Sequence, residues 1–333
     1  MHTPPFTITS EIVNMIAEIS AQIERYAIRL EQSDGLRLRK ANRIKTIHSS
    51  LAIEGNTLSE DEVRDIVDGK TIVAPIKQIQ EVKNAIKTYE LYSELDAFSV
   101  KDLLRAHGVM MQAILDDAGK FRHGGVGVFG EQGLVHMAPP ADRVPFLMDD
   151  LFEWLAKSQD HLLIRSCIFH YELEFIHPFS DGNGRTGRLW QSLILGHLHP
   201  LFEHLPVENM VYSNQQTYYD AIGEATKQTS STPFIEFMLG EILKTLKEHQ
   251  ETPIVRDMMQ DKVRDKVRGI FGTNSEKIIE LLIEHSNYNL DDLAESMQLT
   301  RRAIEKHVKQ LREAGFIKHV GPNKTGHWEI IDI

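Results

Sequence analysis

The chain has 333 residues, 41% hydrophobic and 26% charged, with 37 Lys or Arg against 48 Asp or Glu and a net charge of −11. This is ordinary globular composition with enough length for a sizeable core and more than one domain, and the acidic balance excludes a protein that coats nucleic acid with its whole surface. A single cysteine, Cys167, excludes an internal disulfide, and no apolar run approaches the ~18 residues of a membrane span. The start "MHTPPFTITS" lacks a secretory pattern, so a cytoplasmic protein with no membrane partner is expected.

Taken in order, the first element is an amphipathic helix, with Ile12, Met15, Ile16, Ile19, Ile23, Tyr26 and Leu30 recurring at three-and-four spacing. A second helix, "LRKANRIKTIHSSLAIE", stops at Gly55 and Asn56. Ser59 and Glu62 then form a capping box for the helix after it. Helical pattern continues to about residue 116. The stretch "GKFRHGGVGVFGEQGLVHMAPP" interrupts it, and Gly-Glu-Gln-Gly between two β-type runs predicts a hairpin across 123–137. Helices resume with "ADRVPFLMDDLFEWLAKS" and "LLIRSCIFHYELEFI", the second placing Cys167 on its apolar face, and later with "RLWQSLILGHL". Residues 246–272 read as a charged linker or connecting helix. Residues 273–333 read as three short helices and a hairpin turning at Gly-Pro-Asn-Lys, the pattern of a winged helix-turn-helix.

The chemistry is concentrated in "HPFSDGNGRTGR", His177 to Arg188, between two predicted helices. Gly182, Asn183 and Gly184 open the second helix, where free N–H groups and the helix dipole attract an anion. Phe179 is expected to anchor the loop inside. Arg185 and Arg188 sit in the first turn of that helix, a poor place for cations unless an anion joins them. His177 adds a proton acceptor and Asp181 a carboxylate suited to magnesium. Such a set fits phosphate chemistry with proton removal.

The same residues resemble the Fic family signature: His, any residue, Phe, any residue, Asp or Glu, Gly-Asn-Gly-Arg, two of any residue, Arg. All eight specified positions are filled, by His177, Phe179, Asp181, Gly182, Asn183, Gly184, Arg185 and Arg188. The resemblance covers about residues 40 to 240. It implies a mainly α fold with a small β-hairpin flap and transfer of AMP from Mg-ATP to a hydroxyl of a target protein or of the chain itself, with pyrophosphate leaving. His177 is then the base and Asp181 the Mg2+ ligand, while Gly182, Asn183, Gly184, Arg185 and Arg188 hold the nucleotide. The hairpin at 123–137 is the flap that receives the target's Tyr, Thr or Ser segment. Tyr218 and Tyr219 in "TYYDAI" resemble the adenine-side segment, with a place in the core as the equal alternative. On this reading residues 1–95 are an N-terminal helical region, 96–245 the Fic core, 246–272 a linker and 273–333 the winged helix-turn-helix.

Glu54 poses a separate problem, because a carboxylate ending a helix meets the negative end of the dipole and needs a cation. Ser50, Glu54 and Gly55 match the Fic inhibitory pattern of Ser or Thr, three residues, Glu, then Gly or Asn. The resemblance implies that Glu54 pairs with Arg188 and keeps ATP out of a productive pose. Some members so arranged also remove AMP, and the direction stays open here, as does homodimerisation. In the C-terminal module, residues 301–324 hold seven Lys or Arg and two Glu, a local balance of +5 that could meet DNA. The alternative function is therefore a DNA-binding regulator that uses the Fic core as a nucleotide sensor.

Overall fold

A computed structural model describes residues 3–31, 35–130, 133–203, 205, 207–251, 263–264, 266–320 and 326–331. The chain divides into two units, residues 1–248 and 249–333, so the N-terminal helical region and the predicted core lie in one body.

The first unit is helical: α1 (Ser10–Glu31), α2 (Gly35–Ile53), α3 (Glu60–Val67), α4 (Ile76–Glu90), α5 (Val100–Met110), α6 (Val144–Lys157), α7 (Leu162–Ile176), α8 (Asn183–Gly196), α9 (Val207–Ser213), α10 (Gln215–Gln228) and α11 (Thr232–Glu251). Between α5 and α6 lie β1 (Gly127–Gly130) and β2 (Gly133–Met137), antiparallel, with Gly130 opposite Gly133. The predicted hairpin is therefore present, although its central Glu131 and Gln132 lie outside the described residues.

Burial follows the predicted periodicity. Ile12, Ile19 and Ile23 of α1 enter the main core, with Met15 and Ile16 packed against it; the side chains of Tyr26 and Leu30 lie outside those described. That core centres on α6, α7 and α8, where Trp154, Cys167, Phe169 and Trp190 are all buried. Close approach of α7 and α8 depends on Gly187, since a Cβ there would stand 2.9 Å from His170 Cδ2. A smaller cluster joins α2, α3 and α4 through Ile47, Leu51, Val63 and Val82.

Local caps set the boundaries. The Ser59 and Glu62 capping box opens α3 as expected. Helix α5 ends at Met110, short of the predicted 116, because the buried Asn84 Nδ2 donates to the Met110 and Gln112 carbonyls and the chain turns there.

The second unit holds α12 (Thr273–Glu284), α13 (Leu290–Ser296) and α14 (Arg301–Glu313), then β3 (Ile317–Val320) paired antiparallel with β4 (His327–Ile330). Ile304, Val308 and Leu311 are buried on α14 against Ile278, Leu282 and Trp328, as the stripe predicts. The hairpin turn and residues 252–262 lie outside the described residues. Of the expected linker at 246–272, residues 246–251 belong to α11, and 263–264 and 266–271 are helical with Val263 and Val267 buried in this unit's core, so those parts are not a free linker.

His170 gives the first unit a pH signature. Its ring, fully buried between Gln191 Oε1 (2.7 Å) and the Tyr218 hydroxyl (3.1 Å), has its pKa lowered to about 4, by burial first. The unfolded chain binds the proton near ~6.5, so this contribution is intact above that value and lost as pH falls toward 4. Between pH 6.5 and 5, wild type should lose about 2 kcal/mol more stability in urea unfolding than His170→Gln. Parallel losses in both proteins would refute this.

Candidate active site

The signature forms the α7–loop–α8 turn. His177 caps α7 in the left-handed region (φ 50°, ψ 61°), a conformation costing a non-glycine residue about 1–2 kcal/mol, so neighbours must hold it. The buried Arg122 does this: its Nε donates to the His177 carbonyl at 2.7 Å, and Nη2 donates to Ile176 (3.2 Å) and Pro139 (2.6 Å). Its Nη1 donates to Gly124 at 2.8 Å, so one guanidinium joins the signature loop to both stems of the hairpin. The loop is closed further by Asn183, whose side chain exchanges two 2.9 Å bonds with the Phe179 backbone, and by His107, stacked on Phe179 at 3.7 Å with Nε2 against the Asp181 carbonyl. Phe179 is buried, as expected. Asn183 differs from expectation in one respect: its side chain is committed to the loop, leaving only its backbone for a ligand.

Helix α8 begins at Gly182 (φ 84°) with no side chain capping it, and Asp181 Oδ1 takes the Gly182 N–H at 2.6 Å. The N–H groups of the first turn thus face a cleft of about 230 Å³ lined by Glu54, Glu174, His177, Asp181, Gly182, Gly184, Arg188, Tyr218 and Tyr219. Arg185 is buried, with Nη2 3.2 Å from Asp181 Oδ1 and Nη1 4.0 Å from Glu81 Oε1. Asp181 is half exposed, and Oδ1 accepts from both the Gly182 N–H and Arg185 Nη2, so Oδ2 can take a hard cation. A lone carboxylate fits Mg2+ held mainly by substrate phosphates and water.

Arg188 is 1% exposed and Glu54 31% exposed at the side chain; Nη2 lies 2.8 Å from Glu54 Oε1 and 3.0 Å from the Ser50 carbonyl. Burial alone would lower the Arg188 pKa, but Glu54 and its neighbours raise it. Glu54 covers Gly184 so closely that a Cβ there would stand 2.6 Å from Oε1. The carboxylate is aimed by a Schellman closure of α2: Asn56 N–H donates to the Leu51 carbonyl and Gly55 N–H, at φ 86°, to that of Ala52. Gln215 Nε2 adds a 3.3 Å bond to the Ile53 carbonyl. Ser50, Glu54 and Gly55 are therefore brought to the signature, although 134 positions separate Glu54 from Arg188.

Tyr218 and Tyr219 both line the cleft, and they differ. Tyr218 is core, its hydroxyl on His170, whereas Tyr219 is 37% exposed. Sequence reasoning missed Glu174, Arg122 and Glu81. Glu174 lies one turn before His177, with Oε2 3.9 Å from His177 Nδ1 and a carboxyl raised to about 7, by burial first. Its position at three residues before the histidine was the available signal.

The Fic/DOC family model matches residues 97–195, and an HTH domain model matches 274–321. The crystal structure of a Fic family protein from Desulfovibrio desulfuricans G20 is 41% identical with a TM-score of 0.73, and the match covers 99% of this chain and 98% of that one. The chain belongs to the Fic family. The protein adenylyltransferase Fic of Aedes aegypti is 30% identical over 222 residues, 63% of this chain and 42% of that protein. This chain thus spans about half the length of the curated Fic relatives it matches. Fic-1 of C. elegans (residues 134–508) has the same fold at 20% identity and a TM-score of 0.58, with 72% of each chain covered. Among the described residues no helix is long and apolar enough to cross a membrane.

The Fic cleft has one testable electrostatic consequence. Glu54→Gln leaves a buried Arg188 with only neutral acceptors, which should cost about 1–3 kcal/mol because the lost partner is itself part-exposed. Inorganic phosphate should then raise the melting temperature of Glu54→Gln more than that of wild type. Equal shifts would mean that Arg188 and the α8 N-terminus do not form one anion site.

Proposed function

We propose that the chain is a protein adenylyltransferase held inactive by its own Glu54, transferring AMP from ATP to a hydroxyl of a target protein. The observation that carries this reading is the 2.8 Å contact of Glu54 with Arg188, directly over Gly184 at the uncapped start of α8. The adenylyltransferase names of the Fic relatives support the reaction class.

The N–H groups of Asn183 and Gly184 and the Arg185 guanidinium receive phosphate oxygens by charge-assisted bonds. Asp181 is the residue that would hold Mg2+, which supplies charge neutralisation across the phosphates. His177 Nδ1 faces the Glu174 carbonyl at 3.4 Å, which leaves Nε2 free to accept the proton. The target hydroxyl oxygen bonds to the α-phosphorus, its proton passes to His177, and the α–β bridging bond breaks to release pyrophosphate. Burial first, then Arg122, lowers the His177 pKa, so the base is neutral at pH 7 and an acidic limb in the rate lies below ~6.5. The β1–β2 hairpin, tied to His177 through Arg122, offers a strand edge for the target segment.

Glu54 competes for Arg188 with the terminal phosphate. A coupling of about 1–3 kcal/mol suppresses productive ATP binding about 5–150-fold. Its carboxylate also lines the same cleft as His177, which fits removal of AMP by an oriented water.

A second proposal concerns the C-terminal unit, supported by the HTH match and the outer face of α14. Part of that face is neutralised internally: Arg301 pairs with Asp291 and Glu305, and Lys309 with Glu313. Arg302, Lys306 and Arg312 carry the remaining charge for DNA contact. If the Fic core acts instead as a nucleotide sensor, His177→Ala changes DNA occupancy.

The deciding experiment is transfer of α-phosphate label from Mg-ATP onto the protein or a lysate. Glu54→Gly should label about 5–150-fold above wild type, and Glu54→Gly/His177→Ala should not label. A Glu54→Gly protein that binds ATP and stays unlabelled overturns the adenylyltransferase reading.

A further inference from the structure

A second cavity, of about 510 Å³, shares no lining residue with the Fic cleft. It lies at the seam where the α2–α4 cluster meets the main core, with Ile44, Val67 and Ile86 on one side and Ser192 and Leu205 on the other. Glu90 and Glu203 stand on its lining as exposed carboxylates, and Glu208 lies within it at 1% exposure.

Glu208 is the group that needs explaining. Its Oε1 accepts the Tyr89 hydroxyl proton at 2.7 Å, whereas Oε2 is buried and meets no hydrogen-bond donor among the described residues. The other described groups that line the cavity do not reach Oε2. Tyr92 donates its proton to the Ser192 carbonyl at 2.7 Å. Arg43 donates to the Ile86 carbonyl at 3.1 Å, lies 3.7 Å from Glu90, and stays 40% exposed. Among the described residues, three carboxylates therefore face one guanidinium that is already engaged. A buried carboxylate oxygen without a donor costs on the order of 1–3 kcal/mol, more when charged, so the cavity has an unmet demand for a cation with N–H groups.

The walls define the rest of the ligand. Aliphatic side chains from α2, α3 and α4 accept an apolar body, and Tyr89 and Tyr92 add aromatic surface to the lining. We propose that this cavity binds a small organic monocation, a primary amine with an apolar body, whose ammonium seats on Glu208 Oε2. An anion is refused by the three carboxylates, and a neutral isostere leaves Oε2 without charge compensation. The site does not depend on the adenylyltransferase reading, since binding alone is measured.

The test is calorimetric titration of the full chain with phenethylamine, 2-phenylethanol and phenylacetate. Phenethylamine should bind with a dissociation constant of about 1 mM or tighter, and the other two at least about tenfold more weakly. Glu208→Gln should weaken the amine about tenfold or more, whereas Glu54→Gln should leave its binding unchanged, which separates this cavity from the acidic Fic cleft. If Glu208→Gln does not fold by circular dichroism, Thr46→Trp, which fills the cavity from α2, should abolish binding in a folded protein. Equal binding of the three probes, or full retention of amine binding in the folded variants, overturns the proposal.

Discussion

A guanidinium that is almost wholly buried, in a protein where it cannot lose its proton, must be supplied with an anion, and this constraint at Arg188 organises the first unit. The chain meets it with Glu54 and the Ser50 carbonyl, both from the end of α2. Several otherwise separate features serve that contact. Gly184 has no Cβ because Glu54 occupies the space, and Gly55 turns left-handed so that the Schellman closure presents the carboxylate. Gln215 fastens the last turn of α2 from α10. On the proposed function, an anion arriving at the start of α8 would meet the same arginine, so that a structural ion pair and a ligand contact would compete for one group.

A second set of bonds keeps the loop ready for that anion. His177 is held in a strained left-handed conformation by Arg122, while Asn183, Phe179 and His107 lock the residues between α7 and α8. Arg122 also grips both stems of the hairpin, so flap position and histidine geometry are set by one side chain. The loop is preorganised: its histidine and the opening of α8 already stand in place, as the proposed transfer would need.

Much of this was legible in the sequence because local signals and chemistry agreed. The spacing of Ile12, Ile19 and Ile23, the Ser59–Glu62 box, the glycine-flanked hairpin and the buried stripe of α14 each follow from one period or one cap. The compact signature placed seven candidate residues within twelve positions, and the mismatch of Glu54 with its helix end pointed to a distant cation. What was hidden depends on tertiary approach. Arg122 carries no local signal in its glycine-rich stretch, since nothing in the neighbouring sequence shows that four carbonyls converge on it. Asn183 looked like a ligand contact, but its side chain closes its own loop. Tyr218 and Tyr219 are adjacent in sequence and differ in burial because only one side of α10 meets Phe234 and His170.

The placement of Glu54 on the same chain as Arg188 has a quantitative meaning beyond its geometry. A tethered carboxylate faces its arginine at an effective concentration set by the fold, not by the cell, and dilution of the protein cannot relieve it. Under the proposed competition, raising nucleotide supply would help only to the extent that free nucleotide rivals that fixed local concentration. The rest must come from moving the end of α2, and the three fastenings at Gly55, Gln215 and Ser50 mark where a small displacement has the greatest leverage on what reaches α8.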